Sequence, residues 1–268
     1  MHHRPLGNPE ARPVQPDRVV HSMRALGKDD LPTTITVAGK TYTRELTIKH
    51  DFWAATAFYL DAEGTRVVLK VGRVIEFAGL PLEWIGQWLR EREVYIYRRL
   101  ADLPNVPKVL GTVGTTGFVH EYVKGQPLSK QAPIPPGFFD ELFALIRILS
   151  ERGIAYVDTN KPQNILLGED GKPHLIDFQI SWDAERWPIK SISRWVQRKL
   201  SAEDVYHVLK HKKRMQPDQL TPEELERCER KSWLIRTHRF VFKPYFLFRR
   251  RTFKRLRATG RLMPEGSK

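Results

Sequence analysis

One cysteine, Cys228, stands in a chain of 268 residues, which excludes an intrachain disulfide framework and any metal site built from thiolates. No run approaches the roughly 18 consecutive apolar residues of a membrane-spanning helix. The opening stretch MHHRPLGNPEARPVQPDRVV holds no apolar block of signal-peptide kind. These absences lead to an expected cytoplasmic location. Acidic side chains are also in deficit: 31 Asp and Glu against 45 Lys and Arg leave a net charge of +14. That excess calls for an anionic partner, whether a phosphorylated ligand, a membrane surface or nucleic acid. The chain carries neither an internal repeat nor a low-complexity tract. With 41% hydrophobic residues over this length it can bury a full core, which excludes disorder throughout and suits one two-lobed α+β domain.

Residues 1–30 are rich in Pro, Arg and His without apolar periodicity and read as a flexible lead-in. Short β-rich runs follow, with Asp61-Ala62-Glu63-Gly64 as a hairpin turn before a strand ending in Val68-Leu69-Lys70-Val71. This is the outline of a small antiparallel lobe, residues 31–124. In LPLEWIGQWLREREVYIYRRL the helical spacing puts Ile85, Leu89, Ile96 and Leu100 on one face; Glu93 shares it and Glu91 points away. Two strands around a Gly turn come next, and Lys124-Gly125 breaks the pattern as a hinge would. The second, mainly helical lobe is expected over 125–230. It opens with a helix carrying Phe139, Leu142, Phe143, Ile146 and Leu149 and capped at Gly153. Two short strands, NILLG and PHLIDF, follow. Thr221 and Glu224 form a capping box at the head of TPEELERCERKSW. Trp182, Trp187 and Trp195 read as core residues, with an acceptor site as their other reading.

Phosphoryl transfer needs cations to hold phosphates, carboxylates to hold a metal, and a base near the acceptor oxygen. Four features supply these in order: Lys70 at a strand end, Glu93 inward on the next helix, the run Asp158-Thr159-Asn160-Lys161-Pro162-Gln163-Asn164 on a loop entering a strand, and Asp177 just past an apolar strand. Singly, each is an ordinary edge, surface or turn residue; the information is in their order. That order and spacing, over residues 41–183, resembles the protein kinases and their relatives. The resemblance implies a two-lobed protein-kinase-like fold using ATP and Mg²⁺. Lys70 and Lys161 would bind nucleotide phosphate, Glu93 would anchor Lys70, and Glu121 to Val123 would form the hinge against adenine. Asp158 would be the catalytic base, and Asn164 and Asp177 would hold Mg²⁺.

The pattern departs from the resemblance in places. Asp158 and Asn164 are six positions apart where the kinase loop has five. Either the loop bulges to seat Asp158, or Thr159 falls at the base position and ordinary catalysis is lost. The turn Lys49-His50-Asp51-Phe52-Trp53-Ala54-Ala55, where a glycine-rich phosphate cover belongs, has no glycine, so its amides approach phosphates less freely. Val157 and Gln179 replace an Arg and a Gly, and no Ala-Pro-Glu follows. These losses resemble an atypical bacterial branch, the lipopolysaccharide core kinases that phosphorylate Kdo or heptose, with a weaker similarity to RIO-type kinases.

Residues 231–268 carry twelve Lys or Arg against one acid, Glu265, a local charge of +11. Aromatics interleave with the cations from Arg239 to Arg251, as in a segment lying in a membrane interface, and residues 239–257 are read as the contact to an anionic membrane or glycolipid acceptor. Peripheral attachment to the inner face of the membrane follows from that reading. Packing on the large lobe and nucleic-acid binding are the competing readings, the latter less favoured. The expected activity is Mg-ATP-dependent phosphorylation of a sugar hydroxyl on a lipopolysaccharide-type glycolipid. A catalytically silent nucleotide-binding module and a protein serine/threonine kinase are the alternatives.

Overall fold

The computed structural model describes residues 21–76 and 80–229. The basic segment 231–268, with the expected membrane contact at 239–257, lies outside the described residues. Strands β1 (Thr34–Val37), β2 (Lys40–His50), β3 (Ala54–Leu60), β4 (Arg66–Gly72), β5 (Val109–Val113) and β6 (Gly117–Glu121) form one antiparallel sheet in the order β1-β2-β3-β4-β6-β5. Its hairpins follow local turn chemistry. Ala38 and Gly39 both take positive φ in the two-residue β1–β2 loop. Asp61 accepts the N–H groups of Glu63 and Thr65 before Gly64 at φ 81°. Alternation then sorts β4: Val67 and Leu69 enter the small-lobe core with Tyr59 and Val119, and Lys70 lies on the other face.

Within the expected lead-in 1–30, the described residues 21–30 are docked on the small lobe: Ala25 and Leu26 are buried, and Ala25 N–H donates to Asp51 O at 2.7 Å. Composition hid this because a few apolar residues suffice to dock a short segment against a sheet that is already folded.

Helix α1 (Glu83–Arg99) crosses behind β4. Gly86 permits that approach: a Cβ there would stand 2.2 Å from Arg73 O. The large lobe is built on α2 (Phe138–Glu151), whose buried Phe139, Leu142, Ile146 and Leu149 each contribute about 1.5–3 kcal/mol of burial. Gly153, at φ 76°, ends it in the left-handed region. Strands β7 (Gly125–Pro127), β9 (Ile165–Gly168) and β10 (Pro173–Leu175) make a three-stranded sheet, and β8 (Ile154–Ala155) pairs with β11 (Trp182–Asp183). Helices α3 (Lys190–Met215) and α4 (Pro222–Glu229) complete the lobe. The capping box at α4 is reciprocal: Thr221 N–H donates to Glu224 Oε2 at 2.9 Å and Glu224 N–H to Thr221 Oγ1 at 3.2 Å.

Trp187 and Trp195 are exposed, contrary to the core reading, because they fall on the outward side of a short 3-10 turn and of the first turns of α3. Trp182 is half-buried. No described helix is long and apolar enough to cross a membrane.

Candidate active site

Lys70 reaches out of β4 toward α1 and the large lobe. Its Nζ lies 2.8 Å from both carboxylate oxygens of Glu93 and 2.8 Å from Asp177 Oδ1. A residue from a strand, one from a helix and one from the opposite lobe thus meet at one ammonium. Glu93 is 2% exposed and Lys70 side chain 12%. Burial pushes the Glu93 carboxyl up, against the opposing pull of Lys70. For Lys70 burial works downward, but Asp177 and Glu93 together outweigh it and raise the ammonium, which stays charged. Burial would likewise raise Asp177; the Lys70 ammonium, helped by Lys161 and Lys49, more than offsets that and holds the carboxyl at about 2.

Asp177 adopts φ 63°, a left-handed backbone that is strained for a non-glycine residue. Its N–H donates to the Tyr97 hydroxyl at 3.0 Å, one turn along α1 from Glu93. Tyr97 is itself buried, at 5.0 Å from the Phe178 ring, and Phe178 packs edge-on against Tyr156. The Tyr156 hydroxyl donates to the Ile176 carbonyl and to Asn164 O, and Ile176 N–H donates to Asn164 O at 3.1 Å. Backbone bonds therefore join the segment carrying Asp177 to the segment carrying Asn164.

Asp158, Lys161 and Asn164 form the second half of the site. Asp158 Oδ2 accepts from Lys161 Nζ at 2.6 Å and from Asn164 Nδ2 at 2.8 Å. Burial raises the Asp158 carboxyl, with Lys161 and Asn164 pulling the other way. The extra residue of the loop is absorbed at Val157, whose φ is 72°, and at Thr159, which is fully buried. The Thr159 hydroxyl donates to Asp204 Oδ1 at 2.8 Å, and Val157 N–H donates to Asp204 Oδ2 at 3.0 Å. His211 Nε2 lies 2.8 Å from Thr159 O. Asp158 is thus bonded to Asn164, while the Thr159 hydroxyl is buried against Asp204.

Sequence reasoning missed Asp204 and Tyr97. Tyr97 was legible in principle, four residues after Glu93 on the same helical face. Asp204 gave no local sign, since its partners lie more than forty residues away. Burial raises the Asp204 carboxyl from its ordinary 3.8 to about 6 despite its hydrogen bonds. A carboxyl raised in the folded state binds more protons there than when unfolded, so its contribution to stability falls as pH rises from about 4 to about 6 and is level above. Urea unfolding of wild type and Asp204→Asn across that window is expected to show wild type losing ground to the variant as pH rises. A gap independent of pH would refute the assignment.

The turn between β2 and β3 explains how a glycine-free cover is held. Asp51 Oδ1 accepts the N–H groups of Trp53 and Ala54, each at 2.9 Å, and Asp51 Oδ2 lies 2.6 Å from Lys49 Nζ. A carboxylate of the chain itself thus occupies amides that a glycine-rich turn would offer to a phosphate. At the lobe junction the Glu121 side chain accepts Lys108 N–H at 3.0 Å, and the His120 ring bonds to Glu121 O at 2.8 Å. Val123 lies between β6 and β7. A cavity of about 1150 Å³ opens beside this junction, and Glu121, Tyr122 and Arg66 line it; Lys70, Asp158, Asn164 and Asp177 do not.

No protein-family model matches the chain, and no curated protein matches it by sequence. Solved structures do match. The BubR1 kinase domain is 16% identical with a TM-score of 0.50, covering 68% of this chain and 64% of that one. The Rio2 kinase ADP/Mg²⁺-phosphoaspartate complex from Chaetomium thermophilum is 18% identical with a TM-score of 0.49, covering 69% and 61%. A second structure of that Rio2 kinase is 19% identical with a TM-score of 0.46, covering 66% and 59%. The chain spans about three-fifths of the Rio2 structures and slightly more of BubR1. An antiparallel sheet lobe joined to a mainly helical lobe, together with the BubR1 likeness, gives this chain a two-lobed protein-kinase-like fold.

Proposed function

We propose that the chain is an Mg-ATP-dependent phosphotransferase acting on a hydroxyl group. The observation that carries the proposal is the Lys70 ammonium held between Glu93 of the small lobe and Asp177 of the large one, beside the Asp158–Asn164 pair. Lys70 and Lys161 are assigned to nucleotide phosphates, with Glu93 fixing the direction of Lys70. The junction backbone at Glu121 and Val123 is assigned to the adenine, which puts the proposed lobe boundary at residues 124–125.

The residues suit Mg²⁺. Asp177 is ionised at neutral pH, and Asn164 spends its amide nitrogen on Asp158, which leaves its oxygen for a cation. A hard cation there would be shared between these protein oxygens and substrate phosphates. Mg-ATP held there would supply the phosphoryl group, with the metal offsetting its charge. Asp158 would orient the acceptor hydroxyl and accept its proton.

Twelve residues separate Asp177 from α3, too little chain for a broad peptide platform. This favours a small or lipid-borne acceptor, and we assign the hydroxyl to a sugar of a lipopolysaccharide-type glycolipid at the inner face of the membrane, with residues 239–257 as the contact to it. The Asp51-capped turn favours a second reading, a nucleotide-binding module without turnover. Transfer of labelled γ-phosphate to glycolipid, free sugar and protein acceptors, with wild type and Asp177→Asn, separates the two. Transfer to the glycolipid, lost in Asp177→Asn, is expected. Nucleotide binding with no acceptor phosphorylated would give the site to the second reading, and transfer to protein alone would overturn the acceptor.

A further inference from the structure

A band of aromatic and cationic side chains runs along the outside of the molecule, from α1 to the start of α3. Trp84, Trp88 and Tyr95 share one face of α1 by helical spacing and are 64%, 48% and 38% exposed. Arg92 lies over the Trp88 ring at 5.4 Å, and Arg186 over Tyr95 at 4.9 Å. Between α1 and the segment after β11 is a groove of about 190 Å³ with Trp88 and Trp187 among its walls. Trp187 stacks on Trp182 with ring centroids 4.7 Å apart, and the Trp182 indole N–H donates to Ser193 on α3. There the band continues through Ile189, Ile192 and Trp195, all more than half exposed, with Lys199 5.9 Å from the Trp195 ring.

We infer that this band is a docking face for an anionic lipid bilayer. Its chemistry selects that occupant. Indoles predominate in it, and an indole with one apolar body and one N–H settles at the membrane–water interface. The cations complement anionic headgroups: across residues 184–200 five Lys or Arg stand against one exposed acid, Glu185, and on α1 Arg90, Arg92, Arg98 and Arg99 outnumber the exposed Glu83 and Glu91, with Glu91 paired to Arg90. Arg92 and Arg186 lie over aromatic rings of the band, which brings charge and apolar surface together. The face is built from described residues of both lobes. It stands apart from the phosphotransfer reading, since a chain that binds vesicles and transfers no phosphoryl group fails only the latter.

Flotation of the full chain with vesicles of phosphatidylcholine, alone or mixed with phosphatidylglycerol, tests the inference. Wild type is expected to float with the anionic vesicles and to stay behind with the neutral ones. Trp88→Ala/Trp187→Ala is expected to lower the bound fraction at least about tenfold with the basic segment intact. Ile192→Ala/Trp195→Ala, at two positions more than half exposed, should weaken binding in the same direction if the first variant is poorly folded by circular dichroism. Flotation of both variants equal to wild type would overturn the inference, as would a wild type that binds no vesicle. A wild-type dimer on gel filtration that both variants abolish, without any loss of flotation, would assign the face to a second copy and also overturn it.

Discussion

Replacing Lys70 with methionine is expected to abolish phosphotransfer and to destabilise the fold by about 3–5 kcal/mol, because it leaves a buried carboxylate without its counter-charge. Glu93 is the group stranded, at 2% exposure, with Asp177 no longer separated from it by a cation. Adding Glu93→Leu removes the stranded charge, so the double variant should regain most of the stability and none of the activity, as read by urea unfolding beside a phosphate-transfer assay. The acid side of the stability profile carries the same signature. Asp177 is held at about 2 in the folded protein against an ordinary 3.8. Its depressed carboxyl therefore contributes stability that is present above about pH 4 and lost as pH falls toward 2. That acid limb should flatten in Lys70→Met. A single variant as stable as wild type would show that Lys70 and Glu93 do not form the buried pair.

Asp158→Asn is expected to lower turnover about 10²–10⁴-fold, the range a positioned base contributes, while nucleotide affinity changes little. Thr159→Ala distinguishes the two alignments of the lengthened loop. Its hydroxyl is buried on Asp204, so its loss should appear as reduced stability and leave the chemical step largely intact. Single-turnover rates with saturating nucleotide, measured beside unfolding curves, separate these outcomes. If Thr159→Ala stops the chemistry and Asp158→Asn does not, the base has been assigned to the wrong residue.

The legible part of this molecule was local. The β-rich run placed Lys70 at the end of a strand, and helical spacing put Glu93 inward and Glu91 outward. The turn at Asp61–Gly64 and the capping box of α4 depend on residues a few positions apart, and both stand as their chemistry requires. What stayed hidden depends on distant partners. The seating of Asp158 is decided by Asp204, 46 residues later, and the support of Asp177 by Tyr97, 80 residues earlier. Composition hid the docking of Ala25 and Leu26 within the expected lead-in 1–30 and misread Trp187 and Trp195 as core, since burial is set by what packs against a side chain as well as by its hydrophobicity.

By itself the sequence determined the two-lobed α+β architecture and the order of the charged groups along the chain, because periodicity and turn chemistry act over a few residues. Only the tertiary structure decided that Lys70 bridges two carboxylates, that Asp158 meets Lys161 and Asn164 while Thr159 is buried on Asp204, and that the β2–β3 turn is closed by Asp51. Each of those outcomes is a competition among buried polar groups for a limited set of partners, and which partner is within reach is fixed only once the lobes have packed.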